Sequence, residues 1–557
     1  MNCISKKNII FFLIIIAVIS LGLKLYTVDF TVLPNEDTFE YVLIAFAHNN
    51  GDFTEHPRKT LGWTIFVSPF FHLIDSNNFL DYVNITRVLG LAISIITIIP
   101  MYLLSRKFFD DKYSLCATAL FAFEPHLNQL SWQGMTEPLY ILVIILSMYF
   151  ILNRNSNYSY LSFLAIGLLW WVRWQGVIML LIVSIIFFKN FKKTPKLFVK
   201  YSVCLSISLI VVSPMLLDRY EQFGDPLYFS QTEHLFLGDY ASILAYNMQG
   251  VEYSAFDYID DNGFGKFIEK FVLMGIANLI FTIVKMSFPY LIVLLPFGIL
   301  FSLRAFDQEK KFIQSNWILI LITLVPFVIY FAIIDEKRLI YYIFPFLILF
   351  AVIPLQRLVE YGLSTFSYNE RQKKIVLVGI MGAVLVSSCF YTLRYELPDP
   401  VLNDEKILFA DILSKKFEGK ILDGGNTLQG LTYVNITNPP GIFKQYKHIQ
   451  DMESQNPYMG YTGFNKKNIN LIPVILYAKS LEDFIDVSYE YGLKYISINK
   501  DGVEDVFYPY LDEIYENEEK FPYLRKVFDT EKEGFEKFKT KVFEIDYEKF
   551  YLIKNKE

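Results

Sequence analysis

Apolar residues occupy the first two-thirds of the chain in long blocks separated by short polar breaks, at roughly 9–26, 87–105, 113–123, 136–152, 160–188, 201–218, 271–303, 316–334, 339–356 and 375–393. A helix needs about 20 apolar residues to cross the hydrocarbon core of a bilayer. Most of these blocks therefore predict membrane-spanning helices, with 113–123 short for one. Beyond about Arg394 the pattern changes. "DEKILFADILSKKFEGKILDGG" predicts a helix and then a short strand, Lys420–Asp423. "SLEDFIDVSYEYGLKYISINKDG" predicts a second helix closed by Gly492, followed by a strand at Lys494–Asn499. Alternating helices and strands suggest a small α/β domain. The predicted fold is thus a polytopic α-helical membrane domain, 1–393, with a C-terminal soluble α/β domain, 394–557.

Charge sets the expected topology. Read as one span, the 160–188 block would leave the lysine-rich "KNFKKTPKLFVK" (189–200) outside and the acid-rich 219–270 loop inside. The positive-inside rule disfavours both placements. Read as two segments broken around "WVRWQG" (171–176), the block leaves 105–112, 189–200, 304–315 and 357–374 in the cytoplasm, and 27–86 and 219–270 outside. About eleven crossings result, in the cell membrane, with the N-terminus cytoplasmic and the C-terminal domain external. Glu36, Asp37, Glu137, Arg173, His234 and Arg338 then share the external face.

Composition narrows the class. The 557 residues are 53% hydrophobic and 17% aromatic, and the net charge is −6. Such a chain is too apolar for a soluble enzyme of this size, and its charge argues against nucleic acid as a partner. Cys3, Cys116, Cys204 and Cys389 all lie in or beside apolar runs, so neither a disulfide framework nor a cysteine zinc site is indicated. The N-terminal "KKNIIFFLIIIAVISLGLKLY" lacks a small-x-small cleavage site and is read as a retained helix. "LDGGN" (422–426) has neither a Walker lysine nor dinucleotide-loop spacing and reads as a turn. Sequons at Asn84 and Asn435 fall on the external face of this topology.

The candidate chemistry begins at "LPNEDTFEYVLIAFAHNNGDF" (33–53), where Glu36, Asp37 and Glu40 crowd beside a bilayer-length helix. Asp37, Tyr41 and Ile44 fall on one helical face, although an acidic helix start would look the same. His56, Pro57 and Arg58 follow, then an amphipathic run from Leu61 suited to the membrane interface. Glu137 opens another apolar helix between Thr136 and Pro138, a position that also suits a cap. Glu124 and His126, near the preceding helix end, read as solvated loop residues. Arg173 is flanked by Trp170, Trp171 and Trp174. A charge there needs a partner, a water-filled cavity or a snorkelling route. Lys337 and Arg338 open a further helix, as interfacial anchors or as ligands for a lipid phosphate.

The order acid loop, "TFEYVLIA", "PRKTLGWTIFVSPF", "TEPLYILV", "VRWQGV", "KRLIYYIFPFLILF" resembles the GT-C membrane glycosyltransferases, with the protein O-mannosyltransferases and lipid A aminoarabinose transferases as nearest kin. The resemblance covers about 30–390 and rests on pattern and order. It implies a catalytic acid at Asp37, with Glu36 beside it, and a second acid at Glu137. It also implies donor-phosphate cations at Arg173 and Arg338, with Arg58 or His56 as further candidates. The acidic pair stands in reverse order, Glu36 then Asp37, which leaves open which carboxylate is the base. "WWVRW" lacks the aspartate of the oligosaccharyltransferase Trp-Trp-Asp-Tyr-Gly string, which argues against en bloc oligosaccharide transfer.

The expected activity is inverting transfer of mannose or another hexose from a polyprenyl-phosphate donor to a glycan, lipid or protein acceptor. The lipid bilayer is the other partner. No cofactor is predicted; a divalent cation would have only Glu36 and Asp37 to use, without further support. Two rivals stand beside this reading. A transporter or flippase would favour inverted repeats and discontinuous helices at the midplane; the sequence shows no such symmetry, and the acids sit at the external edge. A non-catalytic scaffold would tolerate substitution of Asp37, Glu137 and Arg173.

Overall fold

Helix starts follow local capping chemistry. Ser5 accepts from the Asn8 amide at the start of α1 (Lys6–Thr27), and Asn35 accepts from the Thr38 amide at 2.8 Å at the start of α2 (Glu36–Asn49). The computed structural model describes residues 5–49, 51, 53, 59–74, 76, 79–228, 235–238, 253–303, 310–334, 336–422, 471–474, 476, 478, 480–500 and 510–555. Along the membrane portion follow α3 (Gly62–Val67), α4 (Phe79–Ile96), α5 (Ile98–Ser105), α6 (Asp111–Ala122), α7 (Pro125–Trp132), α8 (Glu137–Ile151), α9 (Tyr158–Val172), α10 (Gly176–Phe191) and α11 (Leu197–Phe223). Then come α12 (Ala255–Asn262), α13 (Phe264–Met286), α14 (Leu291–Leu303), α15 (Lys310–Phe331), α16 (Arg338–Tyr341), α17 (Phe344–Thr365) and α18 (Glu370–Tyr395).

Among the described residues seven helical segments are long and apolar enough to cross a membrane, and α8, α9, α10 and α14 are shorter apolar helices. Every side chain from Phe344 to Leu355 is buried, which makes α17 a central helix of the bundle, apolar on all sides. The 160–188 block is broken where the charge pattern requires. α9 stops at Val172, Arg173 is extended, and α10 starts at Gly176. A Cβ on Gly176 would meet the Trp170 Cα at 2.4 Å, so the turn is tight enough to need glycine there.

Two expectations need correction. The 271–303 block is two helices, α13 and α14, interrupted at 287–290, where Pro289 removes a backbone donor. The short 113–123 block is α6, an interior helix with nearly all of its residues buried. The run from Leu61 buries one face and leaves Phe66 and Leu73 exposed on the other. Its α3 and the 3₁₀ turn Ser68–Leu73 pack Trp63, Val67 and Phe71 into the protein, with the Phe71 ring 5.0 Å from that of Phe46 on α2.

The C-terminal region begins with α19 (Pro400–Lys416), capped by Asp399. A five-stranded sheet follows in the order β2-β1-β3-β5-β4, formed by β1 (Gly419–Leu422), β2 (Leu471–Val474), β3 (Leu493–Asn499), β4 (Leu524–Asp529) and β5 (Thr540–Ile545). β1 runs parallel to β2 and β3, and β5 is antiparallel to β3 and β4. Leu422, Ile496, Ile498 and Phe543 meet Phe484 of α20 (Leu481–Glu490) and Phe550 of α22 (Tyr547–Lys554) in one core; α21 (Asp512–Glu516) adds Ile514. Gly492, at φ +65°, follows α20 as expected. The segment after Leu422 that carries "LDGGN", and the Asn435 sequon, lie outside the described residues. Asn84 lies within α4, where it donates to the Phe30 carbonyl at 3.0 Å and accepts from Arg87, unlike a sequon on an open loop.

Candidate active site

The start of α2 is fixed before any charge is considered. The Thr38 hydroxyl donates to the Gln133 carbonyl at 2.7 Å, Asn35 Nδ2 donates to Met135 Sδ at 3.3 Å, and Trp63 Nε1 donates to the Gly134 carbonyl at 3.0 Å. Gly134 has φ +79°, and a Cβ there would meet Thr86 Oγ1 at 2.3 Å. Only glycine fits this crossing. It brings the loop that ends at Glu137 against the helix that carries Asp37.

Asp37 sits between two cations. Lys59 Nζ is 2.8 Å from Asp37 Oδ1, and Arg338 Nη1 pairs with Asp37 Oδ2. Lys59 also pairs with Glu40 and lies 4.7 Å from the Tyr41 ring centroid. Glu336 grips the other edge of Arg338 through two bonds, 2.6 Å to Nε and 3.0 Å to Nη2. That fork fixes the guanidinium plane. The Asp37 side chain keeps 26% of its exposure and Arg338 33%, so both remain open to an incoming ligand.

A second pair lies deeper. Arg173 Nη1 is 2.5 Å from Glu137 Oε1, and the Glu137 side chain is only 2% exposed. Thr136 Oγ1 at 3.4 Å and Gln175 Oε1 at 3.3 Å complete the guanidinium's contacts. Tyr140 and Tyr342, with ring centroids 5.0 Å apart, stand beside it. Tyr41 joins the two pairs: it lies within electrostatic reach of Lys59 and Glu40 on one side and of Arg173 and Glu137 on the other. Burial lifts its phenol above the ordinary value, and the two cations pull the other way. Thr60 donates to the Val172 carbonyl at 2.8 Å, and a Cβ on Gly62 would meet the Trp171 carbonyl oxygen at 2.5 Å. These contacts hold Lys59 next to the α9–α10 break that carries Arg173.

The structure thus gathers Asp37, Glu137, Arg173 and Arg338 into one network. Glu36 begins α2, and its side chain lies outside the described residues, as do His56, Arg58 and His234. Glu40, which the sequence marks beside Asp37, joins the network through Lys59, and Lys59 and Glu336 complete it and escaped sequence reasoning. Lys59 follows "EHPR", where basic residues stand side by side and spacing alone singles out none of them. Among the described residues no group of three or more His, Cys, Asp or Glu is arranged to hold a metal ion.

Glu124 and His126 are not solvated loop residues. Glu124, 1% exposed, caps α7 by accepting from the Leu127 amide at 2.7 Å. His126 Nδ1 is 3.6 Å from Glu396 Oε1 at the end of α18. Lys24 reaches the same region and donates to Asn128 Oδ1 at 2.5 Å. Tyr341, between this cluster and the network above, feels Glu396, Glu124, Glu137 and Glu336 together.

The chain is similar to known proteins in part of its sequence and in its fold. Residues 68–217 match the family model of dolichyl-phosphate-mannose-protein mannosyltransferases. The fold is similar to that of the Archaeoglobus fulgidus oligosaccharyltransferase in complex with Zn and sulfate, at TM-score 0.57 and 14% identity, over 92% of this chain and 71% of that one. The oligosaccharyltransferase AglB from Archaeoglobus fulgidus in complex with an inhibitory peptide and a dolichol-phosphate aligns at TM-score 0.51 and 14% identity, over 93% and 72% of the two chains. ArnT from Cupriavidus metallidurans in the apo state aligns at TM-score 0.49 and 12% identity, over 95% and 97%. No curated protein sequence matches the chain. The chain thus carries, in residues 68–217, a match to the dolichyl-phosphate-mannose-protein mannosyltransferase model, and over most of its length it shares the fold of the oligosaccharyltransferase.

Proposed function

We propose that this protein is a membrane glycosyltransferase that moves a hexose from a polyprenyl-phosphate carrier to an acceptor hydroxyl with inversion, and that Asp37 is the general base. The observation that carries the reading is Asp37 itself: a partly open carboxylate between Lys59 and Arg338, beside a sealed Glu137–Arg173 pair. A hydroxyl acceptor is a poor nucleophile and needs a base; a phosphate leaving group needs cations rather than an acid. In the proposed step the acceptor oxygen attacks the anomeric carbon as its proton passes to Asp37. The bond from that carbon to the phosphate oxygen breaks, and the polyprenyl phosphate departs with the electron pair. Arg338 and Lys59 meet the charge that develops on that oxygen, while Arg173, locked by Glu137, adds fixed positive charge behind them.

The donor class is chosen because the matched family model is that of dolichyl-phosphate-mannose transferases and the A. fulgidus enzyme is seen with a dolichol-phosphate. The apolar helices would carry the lipid tail, and the charge pattern of the loops supports an external site. Purified protein in detergent, given radiolabelled polyprenyl-phosphate mannose or glucose and a membrane extract as acceptor pool, tests the reading. Label transferred from one of these donors supports it. Retention of all label on the lipid with both donors counts against this donor class.

A further inference from the structure

We infer that α19, the first helix of the C-terminal region, acts as a strut that positions Asp37, and that Asn403 is its positioning residue; this rests on Asp37 being the base. The segment 28–35, between α1 and α2, belongs to neither helix nor strand. It is held from two sides. From α4, the buried Arg87 donates to the Asp29 carbonyl at 3.3 Å and the Val32 carbonyl at 2.8 Å, while its neighbour Asn84 takes Phe30. From α19, 370 positions away, Asn403 Oδ1 accepts from the Leu33 amide at 2.9 Å.

Both Leu33 and Asn403 are buried, so no water replaces this bond when it is lost. Asn35 then caps α2, and Asp37 stands two residues further on. The path from Asn403 to the carboxylate is therefore five residues long, and every second or third one is pinned.

The other side of α19 is bolted to the connection between β4 and β5. Glu405, two residues from Asn403, accepts from the backbone amides of Glu536, Lys537 and Phe538 at 2.6, 2.9 and 2.7 Å. Lys537 also pairs with Asp399 at the start of the helix. Three amides converging on one carboxylate make a rigid joint. Movement of the β4–β5 edge is thereby transmitted to the loop before α2. The C-terminal domain acquires a role in the membrane domain's chemistry without contributing a group that touches substrate.

The test uses the full chain in detergent with Asn403→Leu, which keeps the volume and removes the acceptor, Asn403→Ala as a gentler variant, and Asn403→Asp, which restores an acceptor oxygen. Amide exchange at Leu33 is read by mass spectrometry beside kcat and KM for the lipid donor, with Asp37→Asn in parallel. We expect faster Leu33 exchange and a kcat lower by about tenfold in the Leu and Ala variants, because small misplacements of a reacting group are expensive. KM for the donor should stay level, and Asn403→Asp should recover both readouts. Unchanged kcat in the Leu and Ala variants, with Asp37→Asn inactive, overturns the strut and leaves the base in place. A lower kcat with unaltered Leu33 exchange also overturns it. Full transfer by Asp37→Asn removes the base, and the strut's purpose with it, whatever Leu33 does.

Discussion

Asp37 and Arg338 lie 301 positions apart and close one ion pair at the partly open mouth of the network. Neither helix start would need the other for stability, since exposed pairs contribute little. Their meeting brings the proposed base and the proposed phosphate ligand into contact before substrate arrives. A donor phosphate that takes Arg338 would release Asp37 toward the acceptor, which gives the pair a sequence of events as well as a geometry.

Arg338→Ala should therefore lower kcat/KM for the lipid donor by about a hundredfold, the scale of losing one donor to developing charge. Arg338→Lys should restore only part of it, because an ammonium cannot keep the two bonds to Glu336 while reaching Asp37. Steady-state kinetics with each variant checks this, and full activity in Arg338→Ala would remove Arg338 from the donor site.

The Glu137–Arg173 pair calls for a stability measurement. Removing one partner of a buried pair leaves the other charge stranded, at about 3–5 kcal/mol, whereas replacing both by apolar groups is often near neutral. Thermal unfolding in detergent should show Glu137→Met and Arg173→Met each losing more than the double variant. All three are expected to lose transfer. Additive losses in the double variant would mean that the two groups do not depend on each other.

Glu124 predicts a pH effect. Burial pushes its carboxyl up from 4.5 to about 8; the Leu127 amide and Lys24 pull it down, and Glu396 pushes it further up. The folded state thus favours the neutral acid. Its contribution to stability is fully present below 4.5, the unfolded value, and is lost as pH rises through about 8. The unfolding temperature should fall across that window in the wild type, and less so in Glu124→Gln, whose side chain does not ionise. An identical slope in both proteins would rule Glu124 out as the source.

What the sequence made visible and what it hid follow a physical divide. Asp37, Glu137, Arg173 and Arg338 stood out because each is a charge set against a bilayer-length apolar run, where charge is costly and usually partnered. The break at Arg173 was legible because one helix there would have put five lysines on the wrong side of the bilayer. Lys59 was hidden among neighbouring charges, and only the crossing at Gly62 selects it. Glu124 was misread because a helix cap and a solvated loop residue share the same local sequence; α1 and α18, distant in the chain, bury it. The break at 287–290 was marked by Pro289, which the strong apolar signal on both sides obscured.

The most direct measurement is single-turnover transfer from a radiolabelled polyprenyl-phosphate hexose by wild type, Asp37→Asn and Asp37→Glu, with donor binding measured separately. The account predicts that Asp37→Asn binds donor yet transfers slower by about 10²–10⁴-fold, the usual contribution of a positioned general base. Asp37→Glu, which keeps a carboxylate, should retain part of the rate. Wild-type transfer by Asp37→Asn would contradict the central claim and move the base to another acid of the network.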